Sequence, residues 1–166
     1  MAERIAIEAA PDLRITWDLD EVRAGLGEDG APALWSLEGA LGACRAALRV
    51  LTGMTSAGTI VLMAAARPAD ADGHDSEEPK AVLIDPSGDV TRIEEALVST
   101  QYAGDGSIDR LGLELYREGD DYPLRGAGDA NITAKGDQGD HTREGALLDF
   151  RLDGEAGTAL YELLHV

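Results

Sequence analysis

Cysteine, aromatic residues and positive charge are all scarce in this chain of 166 residues. Cys44 is the single cysteine, so no disulfide can form within the chain and no oxidising compartment is required. No base partner for Cys44 is evident, which favours a small buried residue over a nucleophile. Aromatic residues make up only 4% of the chain, so Ala, Leu, Val and Ile must fill most of the interior.

The shortage of positive charge excludes several kinds of partner. Acidic residues outnumber basic ones by 32 to 14, which gives a formal net charge of -18. Nucleic acids and anionic membrane surfaces are disfavoured, because both are bound mainly through Lys and Arg. No segment approaches the ~20 apolar residues of a membrane span. The charged start of the chain lacks a signal peptide's apolar run, so we expect a cytoplasmic protein whose acidity serves solubility.

Short segments with a two-residue period predict an all-β protein. In the first, Leu13, Ile15 and Trp17 alternate with polar residues, as in a half-buried strand. Further segments with strand patterns, separated by turns rich in Gly, Asp and Pro, are 59–66, 81–84, 93–102, 111–116, 122–132, 146–152 and 158–165. Strands spaced this closely predict an antiparallel meander that closes into a barrel or half-barrel.

The segment 33–48 is ambiguous between a helix and a strand. Its leucines fall at helical spacing, with Pro32 near the start and Gly53 just past the end. Gly39 and Gly42 argue against a helix, because each costs about 1 kcal/mol relative to Ala in a helix interior. The second half also alternates as a strand does. The downstream pattern favours β structure, with one short helix around 33–48 as the alternative.

The segment 68–79 is acidic and too polar to pack, so it predicts a mobile loop. Its glycine comes too early for a calcium-binding EF-hand loop. The histidines, His74, His141 and His165, are far apart in sequence. We therefore expect no metal site and no cofactor, and we expect residues 1–166 to form one domain.

The chain has no phosphate-binding loop, nucleophile elbow or zinc-protease motif, which leaves carboxylates as the candidate catalytic groups. Glu162 shares a strand face with Leu160 and Leu164. If that face is buried, desolvation favours the protonated carboxyl group and makes it a proton donor. The alternative is a structural ion pair with Arg125 or Arg151.

The few aromatic residues are candidates for lining a cavity. In a closed or nearly closed sheet some of them must face inward, where they contact a ligand instead of a solid core. Plain core packing is the alternative for each. The candidate ligand-binding residues are Trp17, Trp35, Tyr102, Tyr116, Tyr122 and Tyr161.

The C-terminal half resembles the closing strands of a known family. The stretches that carry the resemblance are KAVLIDPSGDV at 80–90, DDYPLRGAGD at 120–129 and EGALLDFRLDGEAGTALYE at 144–162. They are similar to lipocalin-like (calycin-type) proteins related to the carotenoid hydratase/hydroxyneurosporene synthase group. That pattern ends with a D-G turn and a G-x-x-x-Y/F-E strand. Here those places are taken by Asp153, Gly154, Gly157, Tyr161 and Glu162.

The resemblance implies a lipocalin-like barrel that binds a hydrophobic small molecule, isoprenoid- or polyketide-like. It implies acid-assisted cyclisation, isomerisation or hydration without a cofactor. Glu162, Glu114 and Asp149 are the candidate acids, none of them matched to a known catalytic position. Relatives often carry two such domains in tandem, whereas this chain has room for one, so pairing of two copies as a homodimer is a hypothesis. The alternatives are a non-catalytic carrier and a protein-interaction domain with a filled core.

Overall fold

The computed structural model describes residues 3–10, 13–25, 34–39, 47–67, 78–137 and 142–165. Within these residues lie one short helix, α1 (Leu19–Gly25), and twelve strands. The strands are β1 (Arg4–Ala10), β2 (Leu13–Asp18), β3 (Trp35–Gly39), β4 (Ala47–Thr55), β5 (Ile60–Arg67), β6 (Lys80–Ile84), β7 (Val90–Arg92), β8 (Glu95–Tyr102), β9 (Ile108–Tyr116), β10 (Leu124–Asp137), β11 (Thr142–Leu152) and β12 (Glu155–His165).

The strands form a small sheet and a large one. The small sheet has the order β1-β2-β3, and the large one has the order β7-β6-β5-β4-β12-β11-β10-β9-β8. The large sheet curls, so that its two ends approach each other, and consecutive residues between β7 and β8 bond to the strands next to the two edges. The Ile93 amide donates to the Ala81 carbonyl of β6, and the Glu94 amide donates to the Tyr116 carbonyl of β9. The predicted all-β, antiparallel half-barrel is confirmed.

The large sheet has a hydrophobic core on each side. Its inner face encloses one core, which includes Leu51 and Phe150. The outer face of β4, β5 and β6 packs against the small sheet in a second core, which includes Ile15 and Leu62. Strands β4 and β5 are therefore buried on both faces, which explains why the β5 sequence is almost continuously apolar.

The register of the last hairpin is fixed by a tight turn. Asp153 and Gly154 have φ values of 50° and 86°, the two positive values that a type I′ turn needs. Strand β12 also pairs with β4, and the two strands lie close together at Gly157. A Cβ atom there would lie 2.2 Å from the Met54 carbonyl oxygen, so only glycine fits.

The β structure favoured for the segment 33–48 is confirmed in the residues that the structure describes. Where the structure describes the segment 33–48, it shows no helix: residues 35–39 form β3 and residues 47–48 begin β4. Residues 40–46, and with them Cys44, lie outside the described residues, as do 68–77 of the predicted acidic loop, His74 and His141. The helix α1 occurs earlier, where Asp18 Oδ1 accepts from the amides of Asp20 and Glu21 as an N-cap.

Candidate functional site

One end of the half-barrel interior carries polar side chains. Arg49 follows Leu48 on β4 and shares the inner face with Leu51, because successive strand residues point to opposite faces. Arg49 is only 2% exposed. Leu163 of β12 lies opposite Arg49 on one side and opposite Glu144 of β11 on the other. Arg49 and Glu144, which is 8% exposed, therefore flank Leu163.

Three side chains form a hydrogen-bonded triangle at this end. Arg49 Nη1 donates to Thr100 Oγ1 at 3.0 Å and to Tyr161 Oη at 3.1 Å. The two hydroxyl oxygens lie 2.8 Å from each other. Thr100 belongs to β8 and Tyr161 to β12, so the triangle spans the interior from opposite parts of the curled sheet. We call these three residues the polar triangle.

The chemistry of the polar triangle suits hydrogen bonding better than proton transfer. Burial raises the pKa of the Tyr161 phenol above its ordinary value of 10.0, while the nearby Arg49 charge acts in the opposite direction. The phenol therefore keeps its proton at neutral pH. A buried guanidinium is costly unless hydrogen bonds satisfy it, and the two hydroxyl oxygens contribute to that.

Beyond the polar triangle the interior is filled with apolar side chains. Two inward-facing glycines of β10 make room for the side chains of β11. A Cβ atom at Gly126 would lie 3.3 Å from the Phe150 ring, and one at Gly128 would lie 2.9 Å from Leu148. The packing around these two glycines leaves little space in this part of the described interior.

The first predicted acid, Glu162, lies on the outer face of β12, under the small sheet. One carboxylate oxygen accepts a 2.7 Å hydrogen bond from Trp35 Nε1, and the other accepts from Arg143 Nε at 2.7 Å and from Arg143 Nη2. The Arg143 guanidinium also lies over the Trp35 ring, 5.0 Å from its centre. Both oxygens accept from N–H donors, which suits an ionised carboxylate in a structural ion pair.

The ion-pair partner differs from those that the sequence suggested. Gly145 lies directly opposite Glu162, and Arg143 is its next neighbour on the same face of β11. Gly145 has no side chain to intervene, so Arg143 can reach the carboxylate diagonally. Neither Arg125 nor Arg151 is the partner.

The other two predicted acids also lie on the outer face of the large sheet. Glu114 is half-buried on β9 and lies between Leu97 and Arg125 on the neighbouring strands. Asp149 is exposed on β11, opposite Asp129. The three candidate acids are therefore not brought together, and none of them faces the interior.

The six predicted aromatic residues have different positions. Tyr161 faces the interior, and Tyr102, half-exposed at the end of β8, is close enough to influence its titration. Trp17 and Trp35 are buried between the two sheets, where Trp17 Nε1 donates to Thr52 Oγ1 at 2.9 Å. The remaining two are Tyr116, half-buried on the outer face of β9, and Tyr122, 84% exposed in the turn before β10.

Sequence reasoning missed Arg49, Thr100 and Glu144. The alternation around β4 suggests that its arginine faces solvent, but both faces of this strand are buried. The available signal was a single charged residue within the apolar segment 47–51. A buried arginine in such a segment must have polar partners, even though the sequence does not say which.

The chain matches no protein-family model, no curated protein and no solved structure. The resemblance to lipocalin-like proteins therefore depends on the quoted sequence stretches alone. In the part of the chain that the structure describes, no helix is long and apolar enough to cross a membrane.

Proposed function

We propose that the polar end of the half-barrel interior binds a small molecule with an apolar body and a hydrogen-bonding group. The observation that carries the proposal is the burial of Arg49 among apolar neighbours, bonded to Tyr161 and Thr100. An apolar residue of similar volume would be a less costly way to fill that space. Apolar sites with a few convergent polar groups are typical of small-molecule binding.

Binding without chemistry is the form of this function that the geometry supports best. Glu162, Glu114 and Asp149 lie on the outer face, away from the polar triangle. The raised pKa of Tyr161 makes it a poor acid at neutral pH. A carrier or ligand sensor is therefore favoured over acid-assisted cyclisation, isomerisation or hydration.

A protein-interaction domain with a filled core is the second candidate. The packing of Phe150 and Leu148 against Gly126 and Gly128 favours it, because it leaves little space in this part of the interior. The two candidates differ in whether a small molecule binds at the polar end.

Titration with parinaric acid, a fluorescent polyene fatty acid, tests the proposal. The solution should contain at least physiological salt, because the acidic protein otherwise repels the carboxylate. We expect saturable binding at one site, weakened at least tenfold by Arg49→Met and less by Arg49→Lys. The matched control is Arg110→Met on the outer face, where Arg110 is exposed and pairs with Asp129.

Native mass spectrometry of protein purified from its own host adds an independent measurement, since a tightly bound apolar ligand would co-purify and be detected as a complex. The proposal fails if no compound accompanies the protein and the probe does not saturate. It also fails if Arg110→Met weakens binding as much as Arg49→Met does, with both variants folded by circular dichroism.

A further inference from the structure

One polar hydrogen of the polar triangle has no acceptor within the triangle. Arg49 Nη1 carries two hydrogens and donates one to each hydroxyl oxygen. Each hydroxyl carries one hydrogen, and their oxygens are 2.8 Å apart, so one hydroxyl donates to the other. The hydrogen of the accepting hydroxyl has no acceptor within the triangle.

The difference in burial decides which hydroxyl accepts. Tyr161 is fully buried, whereas Thr100 is only partly buried. If Thr100 donated to Tyr161, the phenolic hydrogen would remain unbonded inside the core, and a buried unsatisfied donor is costly. Tyr161 therefore donates to Thr100, and the remaining hydrogen belongs to Thr100, where a ligand or solvent can reach it.

The same arrangement restricts what Thr100 can do for a ligand. Its oxygen already accepts from Arg49 and from Tyr161, which occupies both of its lone pairs. Only its hydrogen is available. We infer that Thr100 recognises the ligand by donating a hydrogen bond, so the ligand presents an acceptor oxygen, as a ketone, ester, ether or carboxylate does. This inference rests on the proposed function and specifies the ligand class for that site.

A pair of probes that share a carbon skeleton and differ in a ketone oxygen tests the inference. Acetylnaphthalene carries a ketone oxygen, and ethylnaphthalene, substituted at the same ring position, carries none. Displacement of parinaric acid gives the affinity of each. We expect Thr100→Val to weaken the binding of acetylnaphthalene about fivefold more than the binding of ethylnaphthalene, because a net hydrogen bond changes affinity by roughly that factor. Any general disturbance of the site affects both probes and cancels in the ratio.

Two further variants separate recognition from damage. Thr100→Ser keeps the hydroxyl group and should restore the preference for the ketone. Ser99→Ala removes a hydroxyl group from the next residue of β8, on the outer face, and should leave both affinities unchanged.

The outcomes distinguish the inference from the proposed function. If parinaric acid binds but Thr100→Val weakens both naphthalenes equally, or Thr100→Ser restores no preference, Thr100 is not the donor and the binding function stands. If the wild-type protein binds none of the three probes, the proposed function fails, and the inference fails with it.

Discussion

Replacing Glu162 with Gln removes one charge from the contact between the two sheets while leaving its shape almost unchanged. The carboxylate accepts from Trp35 on the small sheet and from Arg143 on the large one. A glutamine oxygen can still accept from Trp35, but the glutamine NH2 group would point its hydrogens at the Arg143 guanidinium. The substitution therefore tests whether Glu162 has a structural role, as its contacts indicate, or a catalytic one.

The expected loss of stability follows from the exposure of the two partners. Breaking a fully buried ion pair costs about 3–5 kcal/mol, because the charge that remains is buried with neither a partner nor water around it. The Glu162 side chain is buried, but that of Arg143 is 32% exposed, so water can solvate part of its charge. We therefore expect Glu162→Gln to lower the free energy of unfolding by about 2 kcal/mol, near the value of hydrogen bonds to a charged group.

Urea unfolding followed by tryptophan fluorescence measures this loss, since Trp17 and Trp35 both lie between the sheets. Glu114→Gln is the matched control, a half-buried carboxylate of the outer face, and should change stability by less than about 0.5 kcal/mol. A Glu162→Gln variant of wild-type stability would refute the structural role. So would a variant that keeps its stability and loses a measured catalytic activity.

Three further predictions concern packing, titration and assembly. Gly157→Ala should destabilise the protein by more than about 3 kcal/mol in urea, because its Cβ would collide with the Met54 carbonyl, whereas Gly104→Ala, with open space around it, should not. Burial raises the pKa of Tyr161 in the folded protein above the unfolded pKa of 10.0. The stabilisation by the neutral phenol is therefore complete below pH 10.0 and is lost as the pH rises through the folded pKa. Tyr161→Phe should reduce this alkaline loss of stability when unfolding is measured as a function of pH. The predicted homodimer should sediment as a dimer at micromolar concentration, and a monomer there would contradict it.

Strands with one exposed face could be predicted from the sequence. In β11, Leu148 and Phe150 are buried while Asp149 and Arg151 are exposed, as the two-residue alternation predicts. The hairpin that follows was also predictable, because Asp153-Gly154 is a pair that adopts positive φ readily. In these segments local chemistry and burial agree.

Where both faces of a strand are buried, or where a bulge changes the register, the local pattern did not predict which side chains are buried. Strand β4 has no solvent face, so its alternation carried no information about which of its side chains are buried. In β10, the period predicts Ile132 on the same face as Leu124. A bulge between Ala130 and Ile132 shifts the register, and Ile132 is 55% exposed. Neither effect has a signature within a single segment.

The candidate site depends on a register that no single segment specifies. Residues Arg49, Thr100 and Tyr161 are separated by 51, 61 and 112 positions along the chain, so they meet only because the large sheet curls. Tyr161 and Glu162 are consecutive on β12 and face opposite cores. A slip of one residue would exchange them, placing the carboxylate in the interior and the phenol under the small sheet. The Asp153-Gly154 turn sets that register, and with it which of the two side chains, the Tyr161 phenol or the Glu162 carboxylate, faces the interior.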